Sequence, residues 1–178
     1  MSTININAEK NVYVPMRRFN ISQEHIHTNA LGPCLCFLLH FVFNGQILCF
    51  MEHYSFDMDE NKMSRKQVLE SFLIRICKHL KKKIGPGSIK PINNWTNLSE
   101  AQLIIAGGDI NESALIKNAF TLLNNNSSIN FTRLKVNSDE LYLYQLLLNN
   151  TIIFKAITRN LFDYEEAIGK FDKLIYKN

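Results

Sequence analysis

A cysteine and a histidine stand where they could form a nucleophile and its base. Cys34 follows Gly32-Pro33 in the segment HTNALGPCLC, at the point where a tight turn becomes an apolar strand. An isolated thiol, with a pKa of about 8.5, is mostly protonated at neutral pH, but a neighbouring imidazole can take its proton and leave a nucleophilic thiolate. His53 is the imidazole that we expect to reach Cys34.

This expectation depends on a β-hairpin. The runs CLCFLLHFVF and QILCFMEHY are rich in aromatic and β-branched residues, and Asn44-Gly45 between them is the preferred pair of a type I′ turn. A two-residue turn fixes the register, with Cys36 opposite His53 and Cys34 opposite Ser55, so that Cys34 and His53 are diagonal neighbours. The face that they share consists of Cys34, Cys36, Leu38, His40, Val42, Ile47, Cys49, Met51, His53 and Ser55.

The same residues have two other interpretations. A cysteine on an apolar strand is commonly a small core residue, and a histidine there is commonly hydrogen-bonded inside the core. Cys34, Cys36 and His53, with His40 or Cys49, would also supply soft zinc ligands, although no CxxC or HxxxH spacing reinforces a metal site. Cys34 should lie at the rim of the sheet, whereas Cys36, His40 and Cys49 should be packed. We expect no metal and no other cofactor.

The remaining sequence predicts an α+β fold, a layered sandwich of mostly antiparallel strands and hairpins packed with helices, rather than a doubly wound parallel sheet. With 178 residues, one domain spanning 1–178 is expected. The predicted elements are extended pieces at NVYVPM and EHIHT, a helix at MSRKQVLESFLIRICKHLKKKIG capped by Ser64, a strand at AQLIIAGGDI, a helix at NESALIKNAFTLLNNN capped by Asn111, a strand at INFTRLKV, a hairpin around Asn149-Asn150, and an additional C-terminal helix over about 160–177.

Composition and charge exclude several classes of protein. The net charge of +4 is modest, and its main concentration, KHLKKK at 78–83, has no interleaved aromatic residues, so we expect no nucleic-acid partner. No apolar run reaches the roughly 20 residues that span a bilayer, and the first residues lack the pattern of a secretory signal. We therefore expect a cytoplasmic monomer without membrane insertion, with its four cysteines as thiols.

The segment TNALGPC resembles the CheD family of chemoreceptor glutamine deamidases, which is similar in fold to deamidase toxins of the cytotoxic necrotizing factor type. That family has a threonine six residues before the catalytic cysteine, as Thr28 and Cys34 are here, and a second strand that ends in Ala-His, where this sequence has His53. AQLIIAGGDIN and the hairpin after residue 140 extend the likeness over roughly residues 11–157. Pro33 stands where the family has serine.

The resemblance implies a cysteine-dependent protein glutamine deamidase with Cys34 as nucleophile, His53 as base and Thr28 orienting the imidazole. Its partner would be a protein that bears a reactive glutamine, and its setting the bacterial cytoplasm or, after export without a cleavable signal, a host cell. Because Pro33 has no N–H, the oxyanion donor would be the backbone N–H of Cys34 or a group on another loop. The alternatives are a chemotaxis receptor deamidase and a catalytically silent domain that binds a protein.

Overall fold

The computed structural model describes residues 9–29, 31, 33–55, 62–84, 98–108, 114–124 and 151–153. They form six strands and two helices in this order: β1 Glu9–Tyr13, β2 Phe19–His27, β3 Leu35–Phe43, β4 Gln46–Tyr54, α1 Arg65–Ile84, β5 Leu98–Gly107, α2 Ala114–Asn124 and β6 Thr151–Ile153. Of these helices in the described ranges, neither is long and apolar enough to cross a membrane.

The described strands form one mixed sheet in the order β1-β2-β4-β3-β5-β6. The pairings at its centre, β2 with β4, β4 with β3 and β3 with β5, are antiparallel, whereas β1 with β2 and β5 with β6 are parallel at the two edges. The predicted α+β class is therefore confirmed, with antiparallel strands at the centre. The parallel edges were not predicted.

The central hairpin has the predicted register. Asn44 and Gly45 both have positive φ, 50° and 77°, as a type I′ turn requires. Phe43 pairs with Gln46, and the count outward places Cys36 opposite His53. The ladder ends at the next pair, Leu35 with Tyr54, so Cys34 lies directly before it and the predicted pairing with Ser55 does not form part of it.

Both helices belong to the cluster on one face of the sheet. Apolar residues of α1 recur at helical spacing and are buried against the odd-numbered residues of β3, from Leu35 to Phe43. Ser64 begins α1 as predicted: its Oγ accepts from the N–H of Gln67 at 3.4 Å, and Oε1 of Gln67 accepts from the N–H of Ser64 at 2.9 Å. This reciprocal pair is a capping box.

A second buried cluster occupies the opposite face and contains the candidate site. Its members are Val12, Val14, Ile26, Leu31, Cys34, Cys36, Leu38, Cys49, Met51, Ile104 and Ala106. The face predicted for the hairpin cysteines is thus correct. The predicted Asn111 cap, the strand at 129–136, the first part of the hairpin around Asn149-Asn150 and the helix over 160–177 lie outside the described residues.

Candidate active site

The imidazole of His53 is fixed by a buried hydrogen-bonded chain. Oγ1 of Thr28 lies 2.8 Å from Nδ1 of His53, and the same hydroxyl donates to the carbonyl oxygen of Val14 at 2.7 Å. A threonine hydroxyl has one hydrogen, which Val14 accepts, so the hydrogen between Thr28 and His53 must belong to Nδ1. The chain therefore selects the tautomer of His53 that has its lone pair on Nε2.

Nε2 of His53 is buried and accepts no hydrogen bond from any described residue. The residue as a whole is 1% exposed. Because nearly all buried polar atoms in folded proteins have partners, an orphaned one calls for an explanation. A nitrogen whose lone pair is left available is what a general base requires.

Burial also sets the charge of this imidazole. It lowers the pKa of His53 below the ordinary value of 6.5, because desolvation disfavours the imidazolium. His53 is therefore neutral at physiological pH, in the protonation state that can accept a proton.

The turn between β1 and β2 holds the backbone of His53 on both sides. The N–H of Arg17 donates to the carbonyl of His53 at 2.9 Å, and the N–H of His53 donates to the carbonyl of Arg18 at 3.0 Å. Arg17 adopts φ 61°, which is costly for a residue with a side chain, and its Nε donates to Oγ of Ser55 at 2.6 Å. This support was not predicted from the sequence, in which only Pro15, by breaking the first extended piece, indicated a turn here.

Cys34 lies at the end of a short turn that packs on β5. The N–H of Cys34 donates to the carbonyl of Leu31 at 2.5 Å. Gly107, with φ 83°, lies beneath this turn, where an added Cβ would meet Leu31 Cδ1 at 2.7 Å and the carbonyl oxygen of Cys34 at 2.9 Å. Glycine at 107 is thus what allows the turn to approach β5.

The surroundings of Cys34 differ from those of an exposed nucleophile. Cys34 lies just outside β3, at the rim of the sheet as predicted, but it is only 6% exposed. Of the two candidate oxyanion donors, the N–H of Cys34 is used by the carbonyl of Leu31 inside the turn.

The hairpin also carries Cys36, Cys49 and His40, which differ from Cys34 and His53 in burial or in position. Cys36, directly opposite His53, is 3% exposed, and burial raises the pKa of its thiol to about 12, so it stays protonated at neutral pH. His40 pairs with Cys49 further along the hairpin and is half-buried rather than packed. Within the described ranges, no group of three or more His, Cys, Asp or Glu residues could hold a metal ion.

The structure thus brings Thr28 and His53 into contact and places Cys34 in the same buried cluster face, one residue before the last pair of the hairpin. In comparisons with known proteins, no family model, curated protein or solved structure matches the chain.

Proposed function

We propose that this protein is a cysteine-dependent protein glutamine deamidase, in which Cys34 is the nucleophile, His53 the general base and Thr28 the residue that orients the imidazole. The observation that carries the proposal is the chain from Val14 through Thr28 to Nδ1 of His53, because it leaves Nε2 buried with its lone pair available. The resemblance of TNALGPC to the CheD family supports the choice of glutamine as substrate.

The proposed reaction needs only these groups and water. Nε2 of His53 takes the thiol proton, and Sγ of Cys34 attacks the carboxamide carbon of the substrate glutamine. The carbon–nitrogen bond then breaks as His53 delivers its proton to the departing ammonia, which leaves a thioester. In the second half, His53 takes a proton from water as the oxygen attacks the thioester, and returns it to Sγ as glutamate is released.

The two cysteines nearest His53 have different expected roles. Cys36 faces the imidazole directly, but the raised pKa of its thiol, about 12, keeps it protonated and unreactive. Cys34 follows the turn and is expected to supply the thiolate. With the N–H of Cys34 bonded to Leu31, the donor that stabilises the oxyanion must be a different group, or the turn must open when substrate binds.

The alternative is a catalytically silent domain of the same kind that binds a protein partner. The burial of Cys34 and the engagement of its N–H favour this reading, since both work against attack on a protein side chain. The availability of Nε2 favours the enzyme.

The discriminating experiment compares three proteins in bacterial and host lysates, with glutamine-to-glutamate conversion measured by mass spectrometry. Wild type and Cys36→Ala should convert the same glutamine, and Cys34→Ala should not. Cys36→Ala is the matched control because it removes a buried thiol from the same strand and face. Equal conversion, or none, in wild type and Cys34→Ala would contradict the proposal.

A second measurement does not require the substrate. Iodoacetamide should label Cys34 faster than Cys36, Cys49 and Cys77, and His53→Leu should slow that labelling. Labelling of Cys34 at the rate of the other three would support the silent domain.

The setting of this activity is proposed as the bacterial cytoplasm, or a host cell reached by export without a cleavable signal. A translocation assay in infected cells distinguishes the two, because only the second gives a signal there.

A further inference from the structure

A cavity of about 260 Å³ lies beside α1, among residues that pack on the opposite face of the sheet from His53. Its wall includes Tyr54 and Phe72, which belong to the helix-side core. Its polar lining consists of Ser71, Arg75, Lys78 and His79, all on α1. No part of the proposed deamidase site lines it.

Two of these side chains are held in place by a buried carboxylate. Glu52, 2% exposed, accepts from Nε of Arg75 at 2.5 Å and from Nδ1 of His79 at 2.7 Å. The guanidinium of Arg75 also lies 4.9 Å from the ring centroid of Tyr54, and the His79 ring stacks on Phe19 at 3.9 Å with a 6° interplanar angle. Arg75 and His79 are thus positioned before any ligand arrives.

The bond to Glu52 leaves other donors on Arg75. Glu52 engages Nε of Arg75, so the two Nη groups of that guanidinium are left over. Lys78, exposed on the same helix, adds an ammonium group to the lining. Arg75 and Lys78 therefore bring three donor nitrogens to one cavity.

The charge around the cavity is positive. Arg75 and Lys78 carry two positive charges in the lining, against the one carboxylate of Glu52 that Arg75 binds. The rest of α1 adds to the excess, with Arg65, Lys66, Lys81, Lys82 and Lys83 against Glu70. An anion is the complement of such a surface.

We propose that this cavity binds a small molecule in which a phosphate monoester is joined to a planar apolar group. A phosphate has three terminal oxygens for the three donor nitrogens of Arg75 and Lys78, whereas a carboxylate has two, and arginine suits phosphate geometry. Tyr54 and Phe72 offer the apolar wall for the planar group. The volume, near the lower end of the range for ligand sites, limits the ligand to a small molecule. This inference is independent of the deamidase proposal.

The test is calorimetric titration of the whole chain with phenyl phosphate at constant ionic strength, with benzoate and inorganic phosphate as comparison probes. Phenyl phosphate should bind saturably, at one molecule per chain, and more tightly than either comparison probe. Lys78→Glu should weaken it by about tenfold or more. Lys62→Glu, exposed just before α1 and outside the lining, should change it by less than about twofold, because roughly 20 Å of helix separates it from Lys78 and charges that far apart are screened.

Three results would overturn the proposal: no saturable binding of phenyl phosphate by wild type, equal affinity for benzoate, or equal weakening by Lys78→Glu and Lys62→Glu. The last would show a general attraction to the basic helix. Because both lysines are exposed, both variants should keep the wild-type thermal unfolding midpoint, which is measured alongside.

Discussion

Glu52 and His53 are neighbours on β4, both almost fully buried, yet their hydrogen bonding differs completely. Glu52 points to the helix side, where Arg75 and His79 occupy both of its oxygens. His53 points to the other side, where Thr28 fixes Nδ1 and Nε2 is left without a partner among the described residues. The strand β4 thus carries one side chain with a hydrogen-bond partner at both of its oxygens and one with a partner at only one of its two ring nitrogens.

The two residues are suited to different roles, Glu52 to stabilising the fold and His53 to chemistry. A buried carboxylate with two partners on one helix ties β4 to α1, and its removal would leave the Arg75 guanidinium without its counter-charge. An unpartnered buried nitrogen does the opposite, since it costs free energy in the folded state and is tolerated where a function needs it. The backbone around His53 fits this pattern, because the left-handed Arg17 lies in the turn that holds it.

The largest expected effect is the loss of activity in His53→Leu. Removing the proposed general base should lower turnover by about a thousandfold. The free energy of unfolding should change by less than about 1 kcal/mol, because the hydroxyl of Thr28 keeps its bond to Val14 and the orphaned nitrogen is gone. Urea unfolding and the deamidation assay measure the two quantities. Retained turnover would remove His53 from the mechanism.

Glu52→Gln should lower the free energy of unfolding, which His53→Leu leaves almost unchanged. The substitution takes the negative charge from between Arg75 and His79 and should destabilise the fold by about 2 kcal/mol, a loss limited because the Arg75 side chain is 38% exposed to water. Glu70→Gln is the matched control: Glu70 forms a surface pair with Lys66 at 3.8 Å, and its loss should cost less than about 0.5 kcal/mol. Equal urea midpoints for the two variants would show that the buried network contributes nothing special.

Thr28→Val tests the link between position and chemistry on the His53 side. Valine has the shape of threonine but cannot accept from Nδ1, so the imidazole loses its fixed tautomer and turnover should fall by about tenfold, or about 1.4 kcal/mol in the barrier. Thr28→Ser keeps the hydroxyl and should restore most of the turnover. If serine fails to do so while the fold is intact, the hydroxyl is not what orients His53.

The hairpin and the helix α1 could be predicted from sequence because their signals are local. Asn44-Gly45 specifies the turn, alternation then fixes Cys36 opposite His53, and Ser64 marks the first turn of α1. The contact between Thr28 and His53 was predicted from the resemblance to a known family, because no local sequence pattern connects the two residues.

The partners of both β4 residues could not be predicted, for a physical reason. Arg75 and His79 are 23 and 27 positions from Glu52, and only the docking of α1 on the sheet brings them together. On the other side, Val14 accepts the hydrogen bond of Thr28 through its backbone carbonyl oxygen. Every residue has this group, so the sequence does not identify Val14 as the partner. The bond from the N–H of Cys34 to the carbonyl of Leu31 was not predicted for the same reason: which backbone acceptor this N–H meets depends on the shape of the turn.

The smallest effect is on the pH dependence of stability, and it concerns His53. Burial lowers the pKa of His53 in the folded state below its ordinary 6.5, so the unfolded chain takes up the proton first as the pH falls. Stability is therefore fully present above about pH 6.5 and declines below it, until the folded-state pKa is reached. One such group changes the free energy of unfolding by less than about 1.4 kcal/mol per pH unit.

His53→Leu should therefore flatten the acid side of the stability profile measured by urea unfolding between neutral pH and pH 5. Part of the slope should survive, because burial also lowers the pKa of the half-buried His40, against the opposing charge of Glu100. A profile unchanged in His53→Leu would mean that the His53 ring is solvated in the folded chain. The orphaned nitrogen would then be hydrated, and the contrast with Glu52 would no longer distinguish a chemical group from a structural one.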